Sequence, residues 1–492
     1  MILDNIQSVT FFIPELILTG TILVVILFHV VSANRTSQFP AFLTLAAVSA
    51  SMIIAGGLGA GGTKDLFFGM VRIDEFSTFF KVILSLATLF ATFMSIASLE
   101  VAGKRQTEYY VFLLSITLGM YLLASSVDIV MILLALELVS IPSYLLAGYL
   151  KRTERSVEGA VKYVVYGATA SGVMIYGFSL LYGLSGSTNI TDIGRAVFAA
   201  NNPIILYLAV AMIAVGFGFK IAAVPFHMWS PDVYEGAPTP VTAFLSVGPK
   251  AAGFAILIRF FYEVFASRTG ASTWSAVGGV DWMSIFAILS AITMTVGNLV
   301  AIVQKNVKRL LAYSSIAHAG YMLMGFVLLN IEGLRAVLFY LVVYLFMNTG
   351  AFLVVILVAN AVGSEDISDY SGMGVRMPLM SVCMGIFLFA LTGIPPFSGF
   401  IGKVYLFAGV INKGIYWLAV VAAINSVFSL YYYARILKVM FLESPKSSEP
   451  VMVPAVSRAL LAVLAFPTLL LGVYWEPVIN IAEASARFIA GG

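Results

Sequence analysis

Charge is what this sequence has least of. Only 10% of its 492 residues are charged, against 61% hydrophobic, and the mean hydropathy is +1.00. A soluble domain carries about 25% charged residues. Too little charge remains to coat a soluble surface of this size, so the bilayer has to be the solvent for most of the chain. Cysteine is nearly absent: Cys383 stands alone within an apolar run. That excludes a disulfide framework and a four-cysteine iron–sulfur site. Three histidines, His29, His227 and His318, leave few ligands for a haem or metal centre. The net charge of +3 is small and the basic residues are scattered, so nucleic acid has no footprint. Gly57, Gly59 and Gly62 match GxGxxG, but no strand precedes them and no soluble helix follows, so the nucleotide reading fails its context. The chain opens with Asp4 rather than a basic stretch. No small-residue cleavage site follows the first apolar run, which therefore reads as a retained span.

What the sequence has is long apolar runs. A spanning helix needs roughly 20 apolar residues. Such runs lie near 11–33, 39–62, 76–99, 109–126, 128–150, 163–186, 204–225, 238–265, 282–303, 310–329, 334–362, 378–411, 416–441 and 454–475. The expected fold class is an all-α integral membrane protein of about fourteen transmembrane helices. Basic residues gather in the connections on one side, from Arg35, Lys104 and Arg105 through Lys151, Arg152 and Arg155 to Arg435, Lys438 and Lys446. That side is expected to be cytoplasmic. An even number of spans then leaves both termini on the outer face. Of the basic residues inside runs, Lys81 reads as a snorkelling side chain near a run's start. Arg259 is expected to pair with Glu263, one turn away.

Two runs carry prolines that a continuous helix does not tolerate. Residues 378–411 would make a helix roughly 50 Å long, against a hydrocarbon core of about 30 Å. Pro395 and Pro396 sit at its middle and free the carbonyls of Leu391 and Thr392. A broken helix answers both facts. The run at 204–225 ends at Pro225 in a similar way. The breaks suggest an internal repeat. An N-terminal three-helix segment (1–105) precedes two five-helix sets (106–267 and 280–442), and a C-terminal helix and tail (450–492) follow. In each set the fourth helix is broken and carries a lysine, Lys220 or Lys403. The second helix carries a titratable residue, Glu137 or His318. Five helices per set forces the second copy to enter the membrane upside down. Paired broken helices at matching positions point to an ion site.

Charge inside these runs is costly, about 2.5–3.5 kcal/mol at mid-helix on insertion scales. Glu137, Lys220, Lys250 and Lys403 stand there all the same. An inert helix contact at position 137 could be filled by glutamine at less cost, which favours a working carboxylate. Lys220 precedes Pro225, Lys250 follows Pro249 between small residues, and Lys403 follows the second break. The bland alternatives are a static Lys–Glu pair and lysines reaching the interface. Moving one proton against 100 mV takes about 2.3 kcal/mol. A tenfold change in proton affinity is worth about 1.4 kcal/mol. Shifting an acidic neighbour of a buried lysine changes affinity on that scale, which is what a pump requires. His227 and His318 titrate near neutrality and could pass protons between lysines. Hydroxyls of Ser314, Ser315 and Tyr321 stand near His318 in the chain. Glu15 and Cys383 read as structural.

The segment FKIAAVPFHMWSPDVYEGAPTPVTAFLSVGPKAA at 219–252 closely resembles the signature of the N subunits of respiratory complex I, the proton-pumping NADH:quinone oxidoreductase. The resemblance continues through NVKRLLAYSSIAHAGYMLMG at 306–325 and LTGIPPFSGFIGKVYLF at 391–407. It implies fourteen helices in two inverted five-helix units, with helices seven and twelve broken. It implies a relay of Glu137, Lys220, Lys250, Lys403, His227 and His318 by position. It implies other membrane and peripheral subunits as partners, including antiporter-like paralogues. NADH, FMN, iron–sulfur clusters and quinone would belong to those partners, with no cofactor in this chain. The location would be a bacterial inner membrane. Val247-Gly248-Pro249 departs from the Ser/Thr-rich stretch of many members and leaves the local backbone at Lys250 open. Two other readings remain at this point: a subunit of a cation/proton antiporter complex, and a non-transporting scaffold.

Overall fold

The computed structural model describes residues 2–32, 37–59, 61–101, 106–200, 202–270, 272–447 and 450–489. Arg35, Lys104 and Arg105, which enter the orientation argument, lie outside them. Helix dominates. The N-terminal segment holds α1 (Asn5–Phe11), α2 (Ile13–Val31), α3 (Phe39–Gly59) and α4 (Glu75–Ala97). The first five-helix set holds α5 (Gln106–Ser125), α6 (Ile129–Ala147), α7 (Glu154–Ser185), a short α8 (Ile190–Ala199), the two-part α9 (Pro203–Ile221) and α10 (Trp229–Gly236), and α11 (Thr239–Val264). The second holds α12 (Trp282–Ile302), α13 (Val307–Phe326), α14 (Ile331–Val362), the short α15 (Met373–Arg376), the two-part α16 (Pro378–Thr392) and α17 (Ser398–Asn412), and α18 (Tyr416–Leu442). The chain closes with α19 (Ala455–Leu470) and α20 (Glu476–Ile489).

A helix occupies each of the expected apolar runs. Among the described residues, eleven are long and apolar enough to cross a membrane. The other three positions are held by α13, by α16 with α17, and by α19. Polar caps set several boundaries. Asp128 accepts from Val130 N and Met131 N to start α6, and Asn306 accepts from Arg309 N to start α13. Two features went unread in the sequence. Small hairpins, β1 (Lys64–Leu66) with β2 (Val71–Ile73) and β3 (Ala266–Arg268) with β4 (Trp274–Ala276), lie in the connections between helices. The expected C-terminal tail is the helix α20, whose Glu483 pairs with Arg335 at 2.6 Å.

The interior axis is α11. Every one of its residues except Glu263 is buried. It continues helical through Pro249, which resolves the backbone at Lys250. Small residues let helices close on each other, as expected where no hydrophobic drive operates between them. A Cβ at Gly320 on α13 would meet Met294 N of α12 at 2.7 Å.

Two charge readings need correction. Lys81 does not snorkel. It is buried and its Nζ lies 2.6 Å from Glu15 Oε1. Arg259 pairs mainly with Asp74, through bonds of 2.8 and 2.9 Å, while Glu263 stands 3.9 Å away and instead holds Arg72 at 2.8 Å. The partner is 185 residues distant, so a one-turn rule could not find it.

Candidate functional site

The first break follows α9. Ala222 takes a left-handed conformation (φ 58°), Val224–Pro225 is cis, and α10 restarts at Trp229. The freed backbone groups find partners. Val224 N–H donates to Thr293 Oγ1 at 3.0 Å, and the Trp229 indole donates to Phe219 O at 3.1 Å. This is how irregular backbone survives at membrane depth. The second break parts α16 from α17 around cis Pro395–Pro396. Here the freed Thr392 carbonyl accepts from Lys403 Nζ at 2.7 Å.

Lys220, in the last turn of α9, is buried and donates to Ser140 Oγ on α6 at 3.0 Å. Its stem lies over α11, where a Cβ at Gly253 would come within 3.2 Å of Lys220 Cγ. Glu137 sits one turn before Ser140 and accepts from Ser171 Oγ of α7 at 2.6 Å. The two do not form the direct ion pair that the sequence suggested. Lys220 is held by Ser140, whose own hydroxyl donates to Leu136 O, and Glu137 by Ser171. Glu137 is also only half-buried, on a face of α6 shared with exposed Leu134 and Ile141. It lies at the bundle's rim rather than in its interior.

Lys250 is buried at mid-α11, and its Nζ donates to Ser315 Oγ of α13 at 2.5 Å. The Tyr234 ring lies 5.9 Å from the ammonium. The neighbouring Ser314 shares a short hydrogen bond with the Tyr433 hydroxyl of α18. Tyr433 Oη stands 3.3 Å from His318 Nε2, and Tyr340 Oη of α14 stands 2.8 Å from His318 Nδ1. Tyr321, one turn beyond His318, contacts Ser426 Oγ at 3.1 Å. Ser426 Oγ accepts from Lys403 Nζ at 3.3 Å, and that ammonium lies 4.5 Å from the Tyr321 ring. Lys250 with Ser315, His318 with Tyr433 and Tyr340, and Lys403 with Ser426 thus form three neighbouring polar groups beside α13, with no hydrogen bond joining one group to the next among the described residues. His227 is buried in the turn before α10, but no hydrogen bond among the described residues joins its side chain to the other five.

The three lysines share a property. Lys220, Lys250 and Lys403 are 2%, 1% and 5% exposed, and among the described residues none forms an ion pair. Lys81, Lys162, Lys308 and Lys446 all do. A buried ammonium with only hydroxyl or carbonyl partners is poorly compensated, so its charge depends on what approaches it. Sequence reading missed Ser140, Ser171, Tyr340, Ser426 and Tyr433. Ser140 was discoverable, being one turn from Glu137. Tyr340 and Tyr433 arrive from other helices with no local signal.

Comparison with known proteins gives the geometry its context. The family model for "NADH:quinone oxidoreductase/Mrp antiporter, TM" matches residues 126–429, which span both breaks. A protein of an Anaeromyxobacter species, named NADH-quinone oxidoreductase subunit N, is 43% identical over 99% of this chain and 98% of its own length. A Chloroherpeton thalassium protein, named NADH-quinone oxidoreductase subunit N 2, is 46% identical over 97% of this chain and 94% of its own. A chain in the structure of Thermus thermophilus respiratory complex I with bound aureothin is 31% identical, with a TM-score of 0.78, covering 95% of this chain and 98% of that one. With both breaks inside the matched region and near-full-length relatives on either side, this chain belongs to the subunit N branch of the NADH:quinone oxidoreductase/Mrp antiporter membrane family.

Proposed function

We propose that this chain is a proton-translocating membrane subunit of a bacterial NADH:quinone oxidoreductase, seated in the inner membrane with both termini outside. Electrons pass through partner subunits, which hold the NADH, FMN, iron–sulfur and quinone sites. This chain supplies the proton path. Near-full-length relatives carry the NADH-quinone oxidoreductase name, which favours redox coupling over cation/proton antiport. The two five-helix units run 106–267 and 280–442, flanked by 1–105 and 450–492, and are inverted relative to each other. Matching neighbour relations support this: α5 packs on α6 and α7 on α9, as α12 packs on α13 and α14 on α16.

One observation carries the reading. Three lysines lie at membrane depth with no carboxylate in direct contact among the described residues, each on hydroxyl or carbonyl oxygens. Glu137 at the rim, one turn from the Ser140 that holds Lys220, is the group whose approach or withdrawal changes what Lys220 holds. Lys250 is the middle station, reached past Lys220 along α11, with His227 beside it. Ser315, Tyr433 and His318 then lead toward Tyr321, Ser426 and Lys403. Hydroxyls that both donate and accept can pass a proton along such a run.

The test is Lys220→Ala in the intact complex. Proton movement per NADH, followed in proteoliposomes, should collapse while NADH oxidation in uncoupled complex persists. Full pumping by this variant removes the relay from the mechanism.

A further inference from the structure

The relay leaves two fully buried ion pairs unused: Asp74–Arg259, whose carboxylate oxygens are both bonded, and a second that is less well satisfied. Glu15, in the first turn of α2, and Lys81, in the second turn of α4, meet at 2.6 Å with side chains only 1% and 4% exposed. Glu15 Oε2 is buried with no hydrogen-bond donor among the described residues. The Lys81 ammonium also lies 5.7 Å from the Tyr121 ring of α5. The Tyr121 hydroxyl shares a short hydrogen bond with Ser85, one turn along α4. From α3, Ser51 donates to Pro14 O beside Glu15 at 2.9 Å. Each ion of a buried pair gives up its hydration, and a well-packed apolar pair holds helices as well or better. An orphan carboxylate oxygen adds to that loss.

The pair heads a longer feature. Ser77, Lys81, Ser85, Thr88, Thr92 and Ser95 recur every three or four residues along α4, so they share one face, and all are buried. From α5, Tyr121, Thr117 and Tyr109 answer them. Thr88 and Thr117 hydroxyls meet at 2.9 Å, and Ser95 and Tyr109 at 2.7 Å. Hydroxyls alone would be ordinary glue between membrane helices. Glue has no use for an ammonium and a half-satisfied carboxylate.

We propose that Glu15 and Lys81 form a second proton-holding site, fed along the hydroxyl seam between α4 and α5 and separate from the lysine relay. The idea rests on the proton-translocating reading above. The Lys81 ammonium gives a proton to Glu15, so one N–H bond breaks and one O–H bond forms. The amine is refilled from the hydroxyl seam that starts at Tyr121 and Ser85, each hydroxyl regaining its proton from the next. The pair passes from neutral overall to singly positive, and release reverses the steps.

The test uses the intact complex in proteoliposomes with an internal pH dye, beside Lys220→Ala. The double variant Glu15→Leu with Lys81→Met removes both charges and keeps apolar volume. It is expected to assemble and to oxidise NADH at the parent rate when uncoupled, but to move fewer protons per NADH. Parent proton yield in the double variant overturns the proposal. Thr88→Val, which leaves the ion pair in place, is the second probe: a lowered yield is expected, and an unchanged yield overturns the idea even if the double variant fails to assemble. Difference infrared spectroscopy adds a readout that packing alone would not move. A protonated-carboxyl band should appear on energising the parent and vanish in Glu15→Gln; no such band counts against the site. If Lys220→Ala pumps normally, the relay reading falls. If Lys220→Ala fails while both seam variants pump fully, only this proposal falls.

Discussion

The two broken helices solve the same problem with different parts. At the first, the lysine precedes the break and takes no part in repairing it. Trp229 and Thr293 satisfy the freed backbone, and Lys220 is left to face Ser140. At the second, the lysine follows the break and reaches back to cap the Thr392 carbonyl. The exposed carbonyls at a helix C-terminus carry the negative end of its dipole, which suits an ammonium. Lys403 is therefore both a repair and a charge site, whereas Lys220 is only a charge site. Position relative to the break decides how much else a lysine must do.

That contrast is open to attack. The largest effect is expected at the second break. Lys403→Met should lose pumping and also destabilise the subunit by about 1–3 kcal/mol, because a buried carbonyl loses its donor. Lys220→Met should lose pumping with little change in thermal stability of the purified complex. Equal destabilisation by both would erase the distinction. Next comes Gly472, in the turn after α19. A Cβ there would fall 1.8 Å from Pro396 O, so the second break is wedged against this turn by backbone. Gly472→Ala should lower stability by about 1–3 kcal/mol as the turn is pushed away. Trp229→Phe removes one donor from the first break, and Phe219 O keeps its bond from Ala222 N at 3.1 Å. A loss of about 0.5–1.5 kcal/mol is expected, readable as a lowered melting temperature with pumping retained.

The smallest effect lies at the far end of the chain. Hydrogen bonds from Arg487 and Arg335 hold the Glu483 carboxyl below its ordinary range. A carboxyl lowered on folding stabilises α20 above about pH 4.3, the ordinary glutamate value, and that contribution fades as pH falls through the lowered value. Hydrogen exchange in α20, corrected for intrinsic pH dependence, should rise over that acid window. Glu483→Gln should flatten the rise.

The breaks were legible because proline acts on its own backbone neighbours. Pro225, Pro395 and Pro396 announced interruptions, and even the Thr392 carbonyl was marked as freed. The lysines were legible because charge in an apolar run has few innocent explanations. Pairing was not legible. Asp74 meets Arg259 across 185 residues, and Lys81 meets Glu15 between different helices. Nothing in a local window ranks Asp74 above Glu263 as the partner. The amphipathic α20 does not stand out as a span, because its 14 residues fall short of the roughly 20 that crossing needs.

Thr293 has a role that its place in the chain conceals. It belongs to α12, yet it receives the amide left over where α9 stops. The serine that holds Lys250 likewise sits on α13, across the divide. Severed between residues 267 and 280, the leading fragment would surrender the acceptor for Val224 and the oxygen under Lys250 together. A cell making the two fragments from separate messages should regain function only if they reunite, and neither piece should suffice alone.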